Sequence, residues 1–451
     1  MRWGGFVVSL GVSSPPRRTR LFATVVGCQA GDSLKWERFK ETLPMWVADM
    51  DFASAPAIQR AVVGRAEVGA YGYSLPSAGL SASIVANVQE AWKATEADAT
   101  WIRYHPGLIG GLYQAARLAG ENGTVVVPTP VYPPFLNAAR DSATMKTINA
   151  AEPADVFSEL DRVLAETAAA PPSSSSSPNK KNKGGVVVLW CNPHNPTGRV
   201  WRREELETLA DVVARHADKV TAICSDEVWS GLVFDDQATP FTSLATVAFA
   251  AEDEATKKRN ALLRERLIVL TSPSKTYNVA ALDFAFAVVP NANLRRRYFR
   301  AGRDQAECTP FGLAAAEAIL AGGGCGEVRN DVLTPANGDC EDWRRAIIDH
   351  LRPNRDVAVD FLAAHCSPHL VVTNVPEASY LLWLDATALL RKTNNFAEYL
   401  RTNHDLVLSD GSPFFGKADS GFLRLNFACS QDLLLDALHR IKRAVDDLTT
   451  T

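Results

Sequence analysis

No two cysteines in this chain are spaced as C-x-x-C, and its eight cysteines form neither a disulfide framework nor a zinc-like pattern. They read as reduced core thiols. Cys325 and Cys340 share one Gly-rich segment, but a reducing cell interior leaves such a pair open. No stretch reaches the run of about 18 apolar residues that a bilayer crossing needs, so no membrane span is expected. The formal net charge of -4 gives no basic footprint for nucleic acid, and that class is set aside. Asp and Glu are missing from the first 31 residues, which carry Arg2, Arg17, Arg18 and Arg20. That composition fits a mitochondrial transit peptide, an unstructured extension or a later true start alike, and residues 1–31 are read as an extension. A soluble cytoplasmic protein is the expectation.

What is present divides the chain. Between about 80 and 320, helix-like segments alternate with the apolar runs TVVVP, GVVVLW, VTAIC, RLIVL and FAFAVV. Runs without polar alternation suit strands covered on both faces, so this region reads as a mostly parallel sheet between helices. PPSSSSSPNKKNKGG, 171–185, is a surface insertion within it. After the loop-like 321–340 come a helix from about 341 to 364, strand candidates YLLWLD and FLRLNF, and a closing helix from 431. The fold class is therefore α/β, with a smaller α+β domain built from the N- and C-terminal segments. The expected divisions are 1–31, an N-terminal segment 32–75 joining the small domain, a large domain 76–320, and 321–451.

Chemistry-bearing residues cluster where strands end. TSPSKTYN, 271–278, places Lys275 just after the buried run RLIVL, where an ammonium is costly to bury alone. ICSDEVW, 223–229, ends a strand in Asp226 and Glu227; paired acids there most often cap the next helix or bind a metal, but no His or Asp cluster accompanies them, and a carboxylate at this depth is well placed to hold a proton on a buried nitrogen base. CNPHNPTGRVW, 191–201, forces a tight turn at a strand end, with Asn195 as a short amide at a rigid point. YHPGLIGGLYQAARLAG, 104–120, turns into a helix whose first amides attract phosphate, though many plain helices also begin with glycine. His194, inside the turn, reads as structural. HCSPH, 365–369, lacks a third ligand, and no metal is expected.

In combination and order, PTPVYPPF, NPHNPTG, SDE and SPSKT resemble the fold type I, pyridoxal-phosphate-dependent aminotransferase family over residues 33–446. A narrower resemblance, carried by KW, PMWVADMDF, the YGY at 71–73 and SPSKTYNVAAL, is to the MalY/PatB branch of carbon-sulfur β-lyases, the cystathionine β-lyase type. The resemblance implies pyridoxal 5'-phosphate as cofactor, joined to Lys275, which also serves as base at the substrate Cα. It implies that Asp226 pairs with the ring nitrogen, Asn195 with the ring oxygen, and that Tyr132 stacks on the ring. The amides of Leu108 and Ile109, with Ser272 and Ser274, would hold the phosphate. Arg424 would grip the substrate carboxylate, and Tyr73 would reach a neighbouring site across a homodimer. The implied substrate is a small amino acid with a sulfur leaving group, cleaved to a thiol, pyruvate and ammonia.

Two residues depart from the family pattern. Trp229 stands where a tyrosine or histidine is usual near the ring oxygen, and an indole donates but does not titrate. Asp283 falls where many aminotransferases keep an arginine for the phosphate, and it is expected to turn away or pair with a cation. Two other readings stand beside the lyase. An aminotransferase would share Lys275, Asp226 and Arg424, and a non-catalytic regulator would keep only the fold.

Overall fold

The computed structural model describes residues 31–151, 155–167, 184–234, 239–250, 253–320, 338–416 and 421–450. Residues 1–30, most of the insertion 171–185, Cys325 and most of 321–340 lie outside the described residues.

Seven strands build the large sheet: β1 Ile102–His105, β2 Thr124–Thr129, β3 Thr144–Asn149, β4 Val186–Cys191, β5 Val220–Asp226, β6 Leu267–Thr271 and β7 Ala285–Val288. Their order is β1-β7-β6-β5-β4-β2-β3. Only β7 runs against its neighbours. Helices cover both faces, which explains the unbroken apolar runs. In β4, Val186, Val188 and Trp190 join one buried cluster, while Val187, Leu189 and Cys191 join another on the opposite face. The two-residue side-chain period of a strand therefore feeds two cores at once. β1 and β3 carry polar positions and sit at the two edges.

The smaller sheet is antiparallel, ordered Ser409–Asp410, Phe422–Asn426, Leu381–Asp385, Val371–Val372. The long helix Gly338–His365 and the closing helix Gln431–Thr449 pack beside it. Leu43–Pro44 pairs in parallel with Leu406–Val407, so the N-terminal segment is part of this smaller unit. A buried Lys35–Asp51 pair at 2.9 Å fixes the segment, with the Trp36 indole N–H also donating to Asp51 at 3.0 Å. Such a pair is tolerated in a core because further hydrogen bonds satisfy it. Among the described residues no helix is long and apolar enough to cross a membrane.

Candidate active site

Open α/β sheets bind ligands outside the carboxyl ends of their strands, and three strand ends meet here. β4 runs into the Asn192–Asn195 turn, β5 ends in Asp226, and β6 leads to Ser272 and Lys275. Together with the amino end of helix Leu108–Ala116 and with Arg424 they line a cavity of about 900 Å³.

Among the described residues, three charged groups in it, Asp226, Lys275 and Arg424, lack a full counterpart. Asp226 is 2% exposed and accepts only the Val228 N–H, at 3.1 Å. Burial pushes its carboxyl up to about 7, against the opposing pull of that N–H and of Lys275. The Lys275 amine donates to the Ala48 carbonyl at 3.0 Å. Burial lowers its pKa and Arg424 adds to that, while Asp49 and Asp226 act the other way. Arg424 donates to Asn195 Oδ1 and to the Trp46 carbonyl, both at 3.1 Å, and lies over the Phe414 ring at 4.9 Å. Its Nε has no partner, and burial brings the guanidinium down to about 10. Among the described residues no carboxylate pairs with it. A buried, uncompensated guanidinium fork beside a lysine is a donor site for a carboxylate.

The model of the family described as aminotransferase class I and II matches residues 89–441. The chain belongs to this family. Within it, the sequence is 29% identical over 431 residues to cystathionine beta-lyase PatB of Bacillus subtilis (strain 168), covering 92% of this chain and 96% of that protein. It is 28% identical over 403 residues to protein MalY of Escherichia coli (strain K12), covering 87% and 89%. Cystalysin from Treponema denticola, solved with a pyridoxal 5'-phosphate cofactor, superposes with a TM-score of 0.74 over 95% of this chain and 99% of its own. At 23% identity that likeness speaks for the aminotransferase fold alone.

The wall of this family site fits the pyridoxal phosphate implied by sequence resemblance. Asp226 is a buried acid short of a cationic partner, as a protonated ring nitrogen would be. Lys275 is a cavity lysine with a lowered pKa, as attack on an aldehyde requires. Leu108 and Ile109, at the start of helix Leu108–Ala116, line the cavity together with Ser274, and the first amides of a helix favour phosphate. Tyr132 and Asn195 line the same cavity, and the Tyr132 N–H donates to the Asn195 carbonyl at 3.1 Å.

Other expected residues are placed differently. Ser272 lines the cavity, but its hydroxyl donates to the Phe284 carbonyl at 2.6 Å and accepts the Ser274 N–H at 3.0 Å. Tyr73 is fully exposed, at 102%, and is not among the residues lining the cavity of its own chain. Asp283 neither turns away nor finds a cation among the described residues; it lines the cavity. It closes a turn with a left-handed φ of 56, and its Oδ1 lies 4.0 Å from where a β-carbon on Gly107 would stand. Trp229 lines the cavity and packs edge-on against Tyr380, ring centroids 4.9 Å apart. His194 is buried with Nε2 2.7 Å from the Pro130 carbonyl, and burial brings it down to about 4, so it is neutral near pH 7. Glu227 accepts the Leu244 N–H at 3.1 Å and bonds Ser225, a role in the wall.

Sequence reasoning missed the strap from Met45 to Phe52 as a part of the site. Asn426 donates to the carbonyls of Val47 and Asp49 at 2.6 and 2.7 Å, and Asn278 holds Met50 and Phe52. Tyr380 donates to Ala48 at 2.8 Å, beside the Lys275 bond. The available signal was Asn278 itself, an amide three positions after the lysine.

Proposed function

We propose that this chain is a pyridoxal-phosphate-dependent carbon-sulfur β-lyase that cleaves cystathionine or another cysteine S-conjugate to a thiol, pyruvate and ammonia. The observation that carries the reading is the meeting of Lys275, Asp226 and an unpaired, buried Arg424 in one cavity. When bound, the cofactor supplies an electron sink for negative charge at the substrate Cα. Arg424 holds the α-carboxylate, which fixes the bond to be broken against the ring. Lys275 removes the Cα proton; its lowered pKa keeps a fraction of the amine neutral for that task. Asp226, charged once it faces a cationic ring nitrogen, keeps that nitrogen protonated. The electron pair at Cα becomes the Cα–Cβ double bond as the Cβ–S bond breaks and the sulfur leaves as thiolate, and water hydrolyses the released 2-aminoacrylate to pyruvate and ammonia.

A homodimer is part of the proposal. Tyr71, Tyr73 and Leu75, exposed at 57, 102 and 85%, form an apolar stretch that a second copy would cover. We place the enzyme in the cytoplasm, a reading supported by six described cysteines that are all buried and free. The test is to mix purified protein and cofactor with cystathionine or S-alkyl cysteines. Pyruvate and free thiol in equal amounts are expected, and amino transfer to a keto acid without thiol release would overturn the lyase in favour of an aminotransferase.

A further inference from the structure

The end of the cavity beside helix Leu108–Ala116 contains an acid that the proposed chemistry does not use. One carboxylate oxygen of Asp283 lies 4.0 Å from the point where a β-carbon on Gly107, the residue that opens the helix, would stand. Its backbone is held in place from two sides. The Thr309 hydroxyl donates to the Leu282 carbonyl at 2.7 Å, and Gly312 packs so closely that a β-carbon there would meet the Leu282 and Asp283 carbonyls at 2.4 and 2.9 Å. The backbone of this turn is therefore held, and with it the direction in which the Asp283 side chain leaves the chain.

The cations of the cavity wall are Arg38, Lys275, Arg401 and Arg424, and each is engaged elsewhere. Lys275 and Arg424 face Ala48 and Asn195. Arg401 pairs with Glu398, and Arg38 lies over the rings of Phe39 and Trp46 at 5.7 and 5.4 Å. Among the described residues the anion-binding end thus offers amides and the Ser274 hydroxyl, one carboxylate and no cation. A helix amino end carries only about half a positive charge, too little to neutralise a phosphate dianion and a carboxylate together.

We propose that Asp283 is a charge brake on the cofactor: it weakens the hold on the phosphate, so that the cofactor exchanges with solution and the loaded fraction follows its supply. This rests on the pyridoxal phosphate reading above. The test compares dissociation constants of pyridoxal 5'-phosphate and of pyridoxal, which lacks the phosphate, for the wild type and Asp283→Asn. Asparagine keeps the size and tolerates the positive φ. Loss of one like charge at this range should tighten pyridoxal phosphate roughly tenfold or more, and leave pyridoxal within about twofold. Unchanged or weaker binding of pyridoxal phosphate by the variant overturns the brake, and so does an equal shift for both ligands. A wild type that binds neither ligand overturns the proposed function and the brake together.

Discussion

The Lys275 amine and the Ala48 carbonyl meet at 3.0 Å, joining residues 227 positions apart. The Tyr380 hydroxyl donates to the same oxygen at 2.8 Å. One backbone carbonyl thus receives the site lysine and Tyr380, the residue just before the strand Leu381–Asp385, and the N-terminal strap becomes part of the cavity wall. A lysine held by one neutral acceptor is positioned without being fixed in its charged form, which suits a group that must lose and regain a proton.

On the proposed function, Lys275→Ala removes both the cofactor link and the base. Pyruvate release should fall by about 10² to 10⁴ or more, and the imine absorbance of the loaded protein should vanish. Far-ultraviolet circular dichroism should be unchanged, because the side chain gives up one hydrogen bond at a half-buried position. Turnover within tenfold of wild type would remove Lys275 from the chemistry.

Asp226 predicts a pH dependence whose sign follows from its raised pKa. The acid stands near 3.8 in the unfolded chain and about 7 in the folded protein. The folded state therefore binds its proton more tightly, and this group's contribution is fully present below about pH 4 and lost as pH rises through 7. The difference of about three pKa units corresponds to something on the order of 4 kcal/mol. Thermal denaturation of cofactor-free protein from pH 4 to 8 should show Asp226→Asn gaining on the wild type as pH rises. With cofactor bound the same variant should lose turnover at least about a hundredfold, because an amide cannot keep the ring nitrogen protonated.

How far the sequence reveals this arrangement depends on residue type. β2, β4, β5 and β6 are legible because a strand buried on both faces must be apolar throughout. β1, IRYH, and β3, TMKTIN, escape because edge strands keep polar positions and show no such run. Lys275 and Asp226 stand out, since charge directly after a core strand needs a reason. The Ala48 carbonyl could not be found, because every residue has one and only the tertiary fold aims it. The direction of Asp283 was hidden likewise, being set by a left-handed backbone rather than by the acid.

Arg424 separates binding from stability. Its guanidinium is 5% exposed with Nε unpartnered, so the folded chain already bears the cost of an incompletely satisfied charge. Arg424→Met should raise KM for amino-acid substrates by about 10² or more, while the melting temperature stays level or rises. Arg424→Lys should recover little, because an ammonium cannot make the two parallel bonds of the fork. A large loss of stability in Arg424→Met, with KM unchanged, would make the arginine structural instead.

Asn278 tests whether the strap belongs to the site. Its side chain accepts the Met50 N–H at 3.0 Å and donates to the Met50 and Phe52 carbonyls at 2.9 and 2.8 Å, clamping the strap to the turn that carries Lys275. Its φ of 56 is one that asparagine adopts readily and alanine does not. Asn278→Ala loses three part-buried hydrogen bonds and adds backbone strain, so destabilisation of about 2–4 kcal/mol is expected by denaturant titration. Asn278→Gly relieves the strain yet still frees the strap, so it separates the two causes. If the strap positions Lys275 through Ala48, the glycine variant should lose kcat, and KM should rise with it because the strap also carries the Trp46 carbonyl that Arg424 bonds. A glycine variant with wild-type kcat would show that the lysine is placed by its own loop, and that the N-terminal strap serves only to hold the smaller sheet.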